Sequence, residues 1–162
     1  MTSSFLPLSA REIAAQIRRK EVSPVDVARA HLDRIERLNP KLNAFVDCKP
    51  EVVLAQARSA EKTLLRRDKD ELGPLHGVPV SIKSSIDVAG HVCEAGTRLR
   101  EGYIAAEDAP LVARLRSAGA VILGVTNTPE LLMAWETDNL LYGRTNNPWD
   151  LTRTPGGSSG GE

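Results

Sequence analysis

The chain has 162 residues, of which 41% are hydrophobic and 26% charged, and its 21 basic residues are balanced by 21 acidic ones. That length suffices for a sizeable core, since chains of roughly 150 residues bury about two-thirds of the surface they expose when unfolded. The charge balance excludes the basic excess of a typical nucleic-acid binder, and no stretch approaches the roughly 18 apolar residues of a membrane span.

Taken in chain order, Met1 to Leu8 has neither a charged leading region nor a long apolar run, so no signal peptide is expected there. Ser9-Ala10-Arg11-Glu12 fits a capping box ahead of apolar Ile13 and Ile17, predicting a helix to about Lys20. Arg18-Arg19-Lys20 is the densest basic run and reads as the solvated end of that helix, where cations suit the dipole. Ser23-Pro24 restarts the pattern, with serine as N-cap and proline at the first helical position. Val27, Ala30, His31, Ile35 and Leu38 then recur at helical spacing until Asn39-Pro40, which is expected to stop the helix. A third helix is predicted after Lys49-Pro50, with Val53, Leu54, Ala57, Leu64 and Leu65 as its apolar stripe.

The texture changes at Gly73-Pro74. Val78 to Lys83 is a short β-branched run suited to a strand, and Pro79 favours an edge or strand-start position. Asp108 to Ala118 reads as a helix ended by Gly119, and the apolar run Ala120 to Val125, bounded by glycines, reads as a buried strand. Strand, helix and strand make a βαβ unit, so the fold class expected is α/β. An N-terminal helical layer (1–72) would precede the first part of a mixed sheet flanked by helices (73–162), together one domain. Thr128-Pro129-Glu130 opens another short helix through about Trp135, and polar, turn-forming residues dominate beyond Thr137.

Cys48 and Cys93 lie far apart and outside any CxxC pattern, so neither a disulfide framework nor a zinc site is indicated, and a reducing cytoplasm is the expected compartment. His76 and His91 are expected in structural or surface roles, with too few partners around His91 for a metal. His31 belongs to the second helix.

The residues that bear chemistry lie near Glu162. Pro155-Gly156-Gly157-Ser158-Ser159-Gly160-Gly161 has three readings. One is a flexible glycine-serine linker. Another is the nucleophile elbow of α/β-hydrolases, whose G-x-S-x-G it formally satisfies, although the preceding chain is polar and proline-broken where an elbow needs a buried strand. A phosphate-binding loop fails because the Gly-Lys-[Ser/Thr] ending is missing.

The third reading joins this run to Lys83. Gly73 to Lys83 resembles the lysine segment of the amidase signature family, and Pro155 to Gly161 resembles its serine-glycine signature. The likeness continues through Ala95-Gly96-Thr97, Leu115 to Ala120, Gly124 to Asn127 and Tyr142 to Asp150, covering about half the chain strongly. Alone, Lys83 would pass for an exposed lysine at a strand end.

Members of that family are amide hydrolases or amidotransferase subunits with a Ser-Ser-Lys triad. The resemblance implies Lys83 as base and Ser158 as the bridging serine, following a cis peptide bond. Ser159 would be its neighbour on the substrate side. Leu132 and Met133 would line a substrate pocket with Leu131 and Trp135, although core packing is the simpler expectation for all four. Relatives often place an acidic residue after the lysine, where this chain has Ser84-Ser85. Ser81 and Ser85 flank the lysine, but neither makes the S-x-x-K spacing of penicillin-binding enzymes.

In the family the nucleophilic serine and oxyanion hole lie in a second glycine-rich segment, expected beyond Glu162. The chain is thus expected to be the truncated N-terminal portion of a stand-alone amidase, inactive by itself, hydrolysing a carboxylic amide when complete. The alternatives are a non-catalytic binding module and the A subunit of a tRNA-dependent glutamine amidotransferase. The partners implied are a small-molecule amide and, as a candidate, a second copy of the chain. No cofactor, metal, nucleic acid or membrane is implied.

Overall fold

The computed structural model describes residues 7–162, so most of the segment considered for a leader, residues 1–6, lies outside the described residues. The elements run α1 (Ala10–Arg18), α2 (Pro24–Leu42), β1 (Phe45–Asp47), α3 (Pro50–Arg66), β2 (Pro79–Lys83), α4 (Pro110–Ser117) and β3 (Val121–Thr126), with short 3-10 turns at Lys69–Glu71, Arg98–Arg100 and Glu130–Leu132. Three strands form one sheet in the order β1-β3-β2. β1 lies antiparallel to β3. The Val121 N–H donates to Val78 O and the Ser84 N–H to Thr126 O, so β2 and β3 ascend together, a parallel pair joined through α4. The sheet is therefore mixed and the fold α/β, as the sequence pattern predicts. No helix among the described residues is long and apolar enough to cross a membrane.

The chain divides into two compact units. The first comprises, among the described residues, 7–34, 49–80 and 113–123. Its core gathers Ile13 and Ile17 of α1, Val27 of α2, Leu64 of α3, and Leu72 and Val78, with Leu8, Ala14, Val22 and Leu75 against them. Ile13 and Ile17 are four residues apart, hence on one helical face. The capping box starts α1: the Ser9 hydroxyl accepts from the Glu12 N–H and the Glu12 carboxylate accepts from the Ser9 N–H. α2 begins as expected, the Ser23 hydroxyl accepting from the Val25 N–H at 2.9 Å ahead of Pro24. On α3, Val53, Ala57 and Leu64 are buried, whereas Leu65 is 70% exposed and leaves the expected stripe. Gly119, at φ 89°, follows α4 in the left-handed conformation that glycine adopts most easily.

The second unit comprises residues 35–48, 81–112 and 124–162. Here α2 runs through Asn39-Pro40 to Leu42, against the expectation that it stops. Pro40 lies in the last turn, where its missing N–H removes one bond of a ladder that is about to end. The exit is built by Asn39, whose side-chain oxygen accepts from the N–H groups of Ala44 and Phe45 at 2.8 Å each. Those bonds deliver the chain into β1, a strand too short for any alternation to announce. At Gly124 the backbones of β1 and β3 approach closely: at φ 151°, a Cβ there would lie 2.3 Å from Asp47 O.

The helix expected through Trp135 is instead one 3-10 turn, Glu130–Leu132. Leu131 and Leu132 have φ 47° and 63°, left-handed values through which an α-helical ladder cannot propagate. Met133 and Trp135 are 84% and 91% exposed, so the expectation that they pack into the core is wrong, and Leu131 is also exposed while Leu132 is half-buried.

Candidate active site

Lys83 ends β2, where alternation sets neighbouring side chains on opposite faces. Ile82 and Ser84 are buried on one side, the Ser84 hydroxyl 3.1 Å from that of Thr128. Lys83 and Ser81 occupy the other. The serines following Lys83 thus do not simply replace an acidic neighbour at the amine, because Ser84 faces away and is paired elsewhere.

The face carrying Lys83 meets the glycine-serine run. Lys83 Nζ donates to Ser158 Oγ at 2.7 Å and to Ser159 Oγ at 3.0 Å, across 75 and 76 residues of sequence. The Gly157-Ser158 peptide bond is cis. Backbone packs so closely around this run that side chains are excluded. A Cβ on Gly157 would lie 2.9 Å from Ala134 O, and one on Gly161 would lie 2.5 Å from Asn127 N and 2.6 Å from Ala44 O. A flexible linker has no such neighbours, and no strand leads into Ser158 as a nucleophile elbow requires.

Glu162 completes the local set. Its carboxylate accepts from Ser81 Oγ at 2.6 Å and from Thr126 Oγ1 at 2.6 Å, tying the end of the run to β2 and β3. Ser81 is therefore engaged with a carboxylate. Burial pushes the half-buried Lys83 amine below its ordinary pKa, because the charged form loses water, while the negative charge of Glu162 pulls it part of the way back.

Among the sequence-predicted site residues, Lys83, Ser158 and Ser159 are brought into one hydrogen-bonded group. Leu132 and Met133 lie on the 3-10 turn and just after it, immediately before Ala134, whose carbonyl backs Gly157. Sequence reasoning missed Glu162. It could have been marked by its place directly after the signature.

The histidines are engaged in structural contacts. His76 Nε2 lies 2.9 Å from Ala60 O, His31 Nδ1 2.9 Å from Val27 O, and buried His91 3.1 Å from the Asp47 carboxylate. Among the described residues no group of three or more His, Cys, Asp or Glu side chains could hold a metal ion. A cavity of about 430 Å³ lined by Gln56, Thr63, Arg67, His76 and Arg116 belongs to the first unit and includes none of Lys83, Ser158 and Ser159.

A hydroxyl that can both donate and accept, held against an amine whose charged form is disfavoured, can pass a proton from a third group to that amine. A protonated lysine cannot accept one, so burial, which disfavours the ammonium, acts in the direction such a transfer needs.

Comparison with known proteins points the same way. The family model described as Amidase matches residues 26–162. The chain is 46% identical to indoleacetamide hydrolase of Bradyrhizobium diazoefficiens, over 94% of this chain and 29% of that protein. It is 45% identical to the A subunit of glutamyl-tRNA(Gln) amidotransferase from Streptomyces coelicolor, over 98% of this chain and 32% of that one. Among solved structures, a bacterial aryl acylamidase of the amidase signature family superposes with a TM-score of 0.86 at 31% identity, covering 95% of this chain and 32% of its own. The chain thus spans about a third of the length of the curated relatives it matches.

Proposed function

This chain belongs to the amidase family, and from that premise we propose that the protein containing it hydrolyses a carboxylic amide to an acid plus ammonia or an amine. Lys83 is the base, Ser158 relays protons, and the nucleophilic serine and oxyanion hole come from chain beyond Glu162. The observation that carries this reading is the 2.7 Å hydrogen bond between Lys83 Nζ and Ser158 Oγ, made by an amine that burial pushes toward its neutral form.

Each proton has a place in this scheme. As the nucleophilic hydroxyl attacks the amide carbon, its proton passes to Ser158 Oγ while the Ser158 proton passes to Lys83 Nζ. The resulting ammonium returns a proton through Ser158 to the leaving nitrogen, the C–N bond breaks, and an acyl-enzyme remains. Water enters by the same relay and releases the acid. Backbone donors of the oxyanion hole stabilise both tetrahedral intermediates. Exposed Ser159 beside the pair would contact the substrate, and exposed Met133 with half-buried Leu132 would offer apolar surface to an acyl group.

A second reading, an amidotransferase component that releases ammonia from glutamine for a partner, is favoured by the similarity to the Streptomyces coelicolor protein. The Glu136-Thr137-Asp138-Asn139 segment and the Ser159-Gly160-Gly161-Glu162 sequence look more like stand-alone amidases.

The test is ammonia release from primary carboxamides by the protein at the relatives' full length. Lys83→Ala should lower it by roughly 10²- to 10⁴-fold, the span of general acid–base catalysis. Undiminished release by a folded Lys83→Ala variant refutes the assignment. Release confined to glutamine and dependent on a partner favours the second reading.

A further inference from the structure

Ser158 sits midway along a loop whose two ends are bridged by one hydroxyl, with the Thr154 hydroxyl a longer second partner of Gly156 at 3.4–3.5 Å. Thr137, with no solvent exposure, donates from Oγ1 to Gly156 O at 2.8 Å and accepts at the same oxygen from the Gly160 N–H at 3.0 Å. A hydroxyl donates one proton and accepts through its lone pairs, so both functions of this group are spent on the loop. The contact is tight: a Cβ on Gly160 would come 2.4 Å from Thr137 Oγ1.

Thr137 is itself fixed through its backbone. Its N–H donates to Thr154 Oγ1 at 3.2 Å and its carbonyl accepts from the Thr145 N–H at 2.9 Å. Just before it, Ala134 O and Glu136 N back Gly157, each 2.9 Å from where a Cβ would stand. The loop therefore has a floor, residues 134–137, and one side-chain bridge from that floor to both its flanks.

We propose that Thr137 is a positioning residue for the proton relay: its hydroxyl spans Gly156 and Gly160 and thereby holds Ser158 Oγ at hydrogen-bonding distance from Lys83. The inference rests on the amidase reading given above, because it assigns Thr137 a role only through Ser158. Valine keeps the size and branching of threonine but can make neither bond, leaving the Gly156 carbonyl and the Gly160 N–H to find other partners. A relay tolerates little drift, since a displacement of about 1 Å can cost on the order of a hundredfold in rate.

The experiment compares Thr137→Val, Thr137→Ser and Lys83→Ala in the full-length protein, reading kcat and KM for amide hydrolysis and the thermal midpoint of each variant. Thr137→Val should lower kcat by roughly 10- to 100-fold with KM little changed. Thr137→Ser, which restores the hydroxyl and lacks only a methyl, should recover most of the rate. Loss of kcat in both Thr137 variants in proportion to their thermal destabilisation would reduce Thr137 to a packing residue and overturn the proposal. Wild-type kcat in a folded Thr137→Val variant would overturn it as well. Lys83→Ala separates the two levels: if it retains activity the assignment of Lys83 and Ser158 as base and relay fails, whereas loss there with full activity in Thr137→Val sinks only the role of Thr137.

Discussion

Lys83 Nζ and Ser158 Oγ lie 2.7 Å apart, and the carboxylate of Glu162 turns back from just beyond Ser158 to the hydroxyls of Ser81 and Thr126 on the adjoining strands. Lys83 and Ser158 are thus joined to each other directly, and the chain that carries Ser158 is anchored beside the strand that carries Lys83.

The electrostatics of that arrangement predict a pH profile. Only the neutral amine can accept a proton, so kcat/KM should fall as pH falls through the pKa of Lys83. Burial sets that pKa below the ordinary lysine value of 10.5, and the negative charge of Glu162 raises it. Replacing Glu162 by glutamine removes a charge that favours the ammonium, lowers the pKa and moves the acidic limb to lower pH. The pH dependence of kcat/KM for wild type and Glu162→Gln checks this, and a limb that moves upward contradicts it.

Gly124 predicts a stability effect away from the relay. At φ 151° and with Asp47 O only 2.3 Å from a built Cβ, the position admits no side chain without separating β1 from β3. Gly124→Ala should cost at least about 1–3 kcal/mol, the scale of a strained backbone position. Denaturant unfolding measures it, and a variant within 0.5 kcal/mol of wild type, roughly the spread of neutral surface changes, argues against the close approach.

How much of this was readable from the chain differs by element. Ser9 and Glu12 announce α1 because a capping box is a local contract between residues three apart. Val121–Thr126 announces itself as a buried strand because all its residues are apolar or small and Gly119 ends the helix just before it. Phe45–Asp47 does not, because three residues show no period, and α2 passes Pro40 because Asn39 organises the exit through bonds to residues further on. At the site, Lys83 and Ser158 are visible only through family resemblance, since 75 residues separate them and no composition or spacing joins them. Thr137 is invisible at that level: its role depends on where residues 156–160 come to rest. Trp135 and Met133 look like core residues by composition, and only the left-handed turn at Leu131-Leu132 shows why they are not.

Cys93 gives a chemical prediction. It is 1% exposed, and its thiol pKa is pushed up to about 12, by burial first and then by its hydrogen bond to the Asp87 carboxylate. Alkylation requires the thiolate. At pH 8, iodoacetamide should therefore leave Cys93 unmodified in the native protein and label it on unfolding, as read by peptide mass mapping. Native labelling at the denatured rate contradicts the burial.

The central claim is that Lys83 and Ser158 act as one proton-transfer unit, and a double-mutant cycle on kcat/KM for amide hydrolysis tests it most directly. Groups that work as a unit lose their effect together, so Lys83→Ala/Ser158→Ala should be little slower than the worse of the two single variants. Losses that multiply in the double variant, or wild-type turnover in either folded single variant, would contradict the relay.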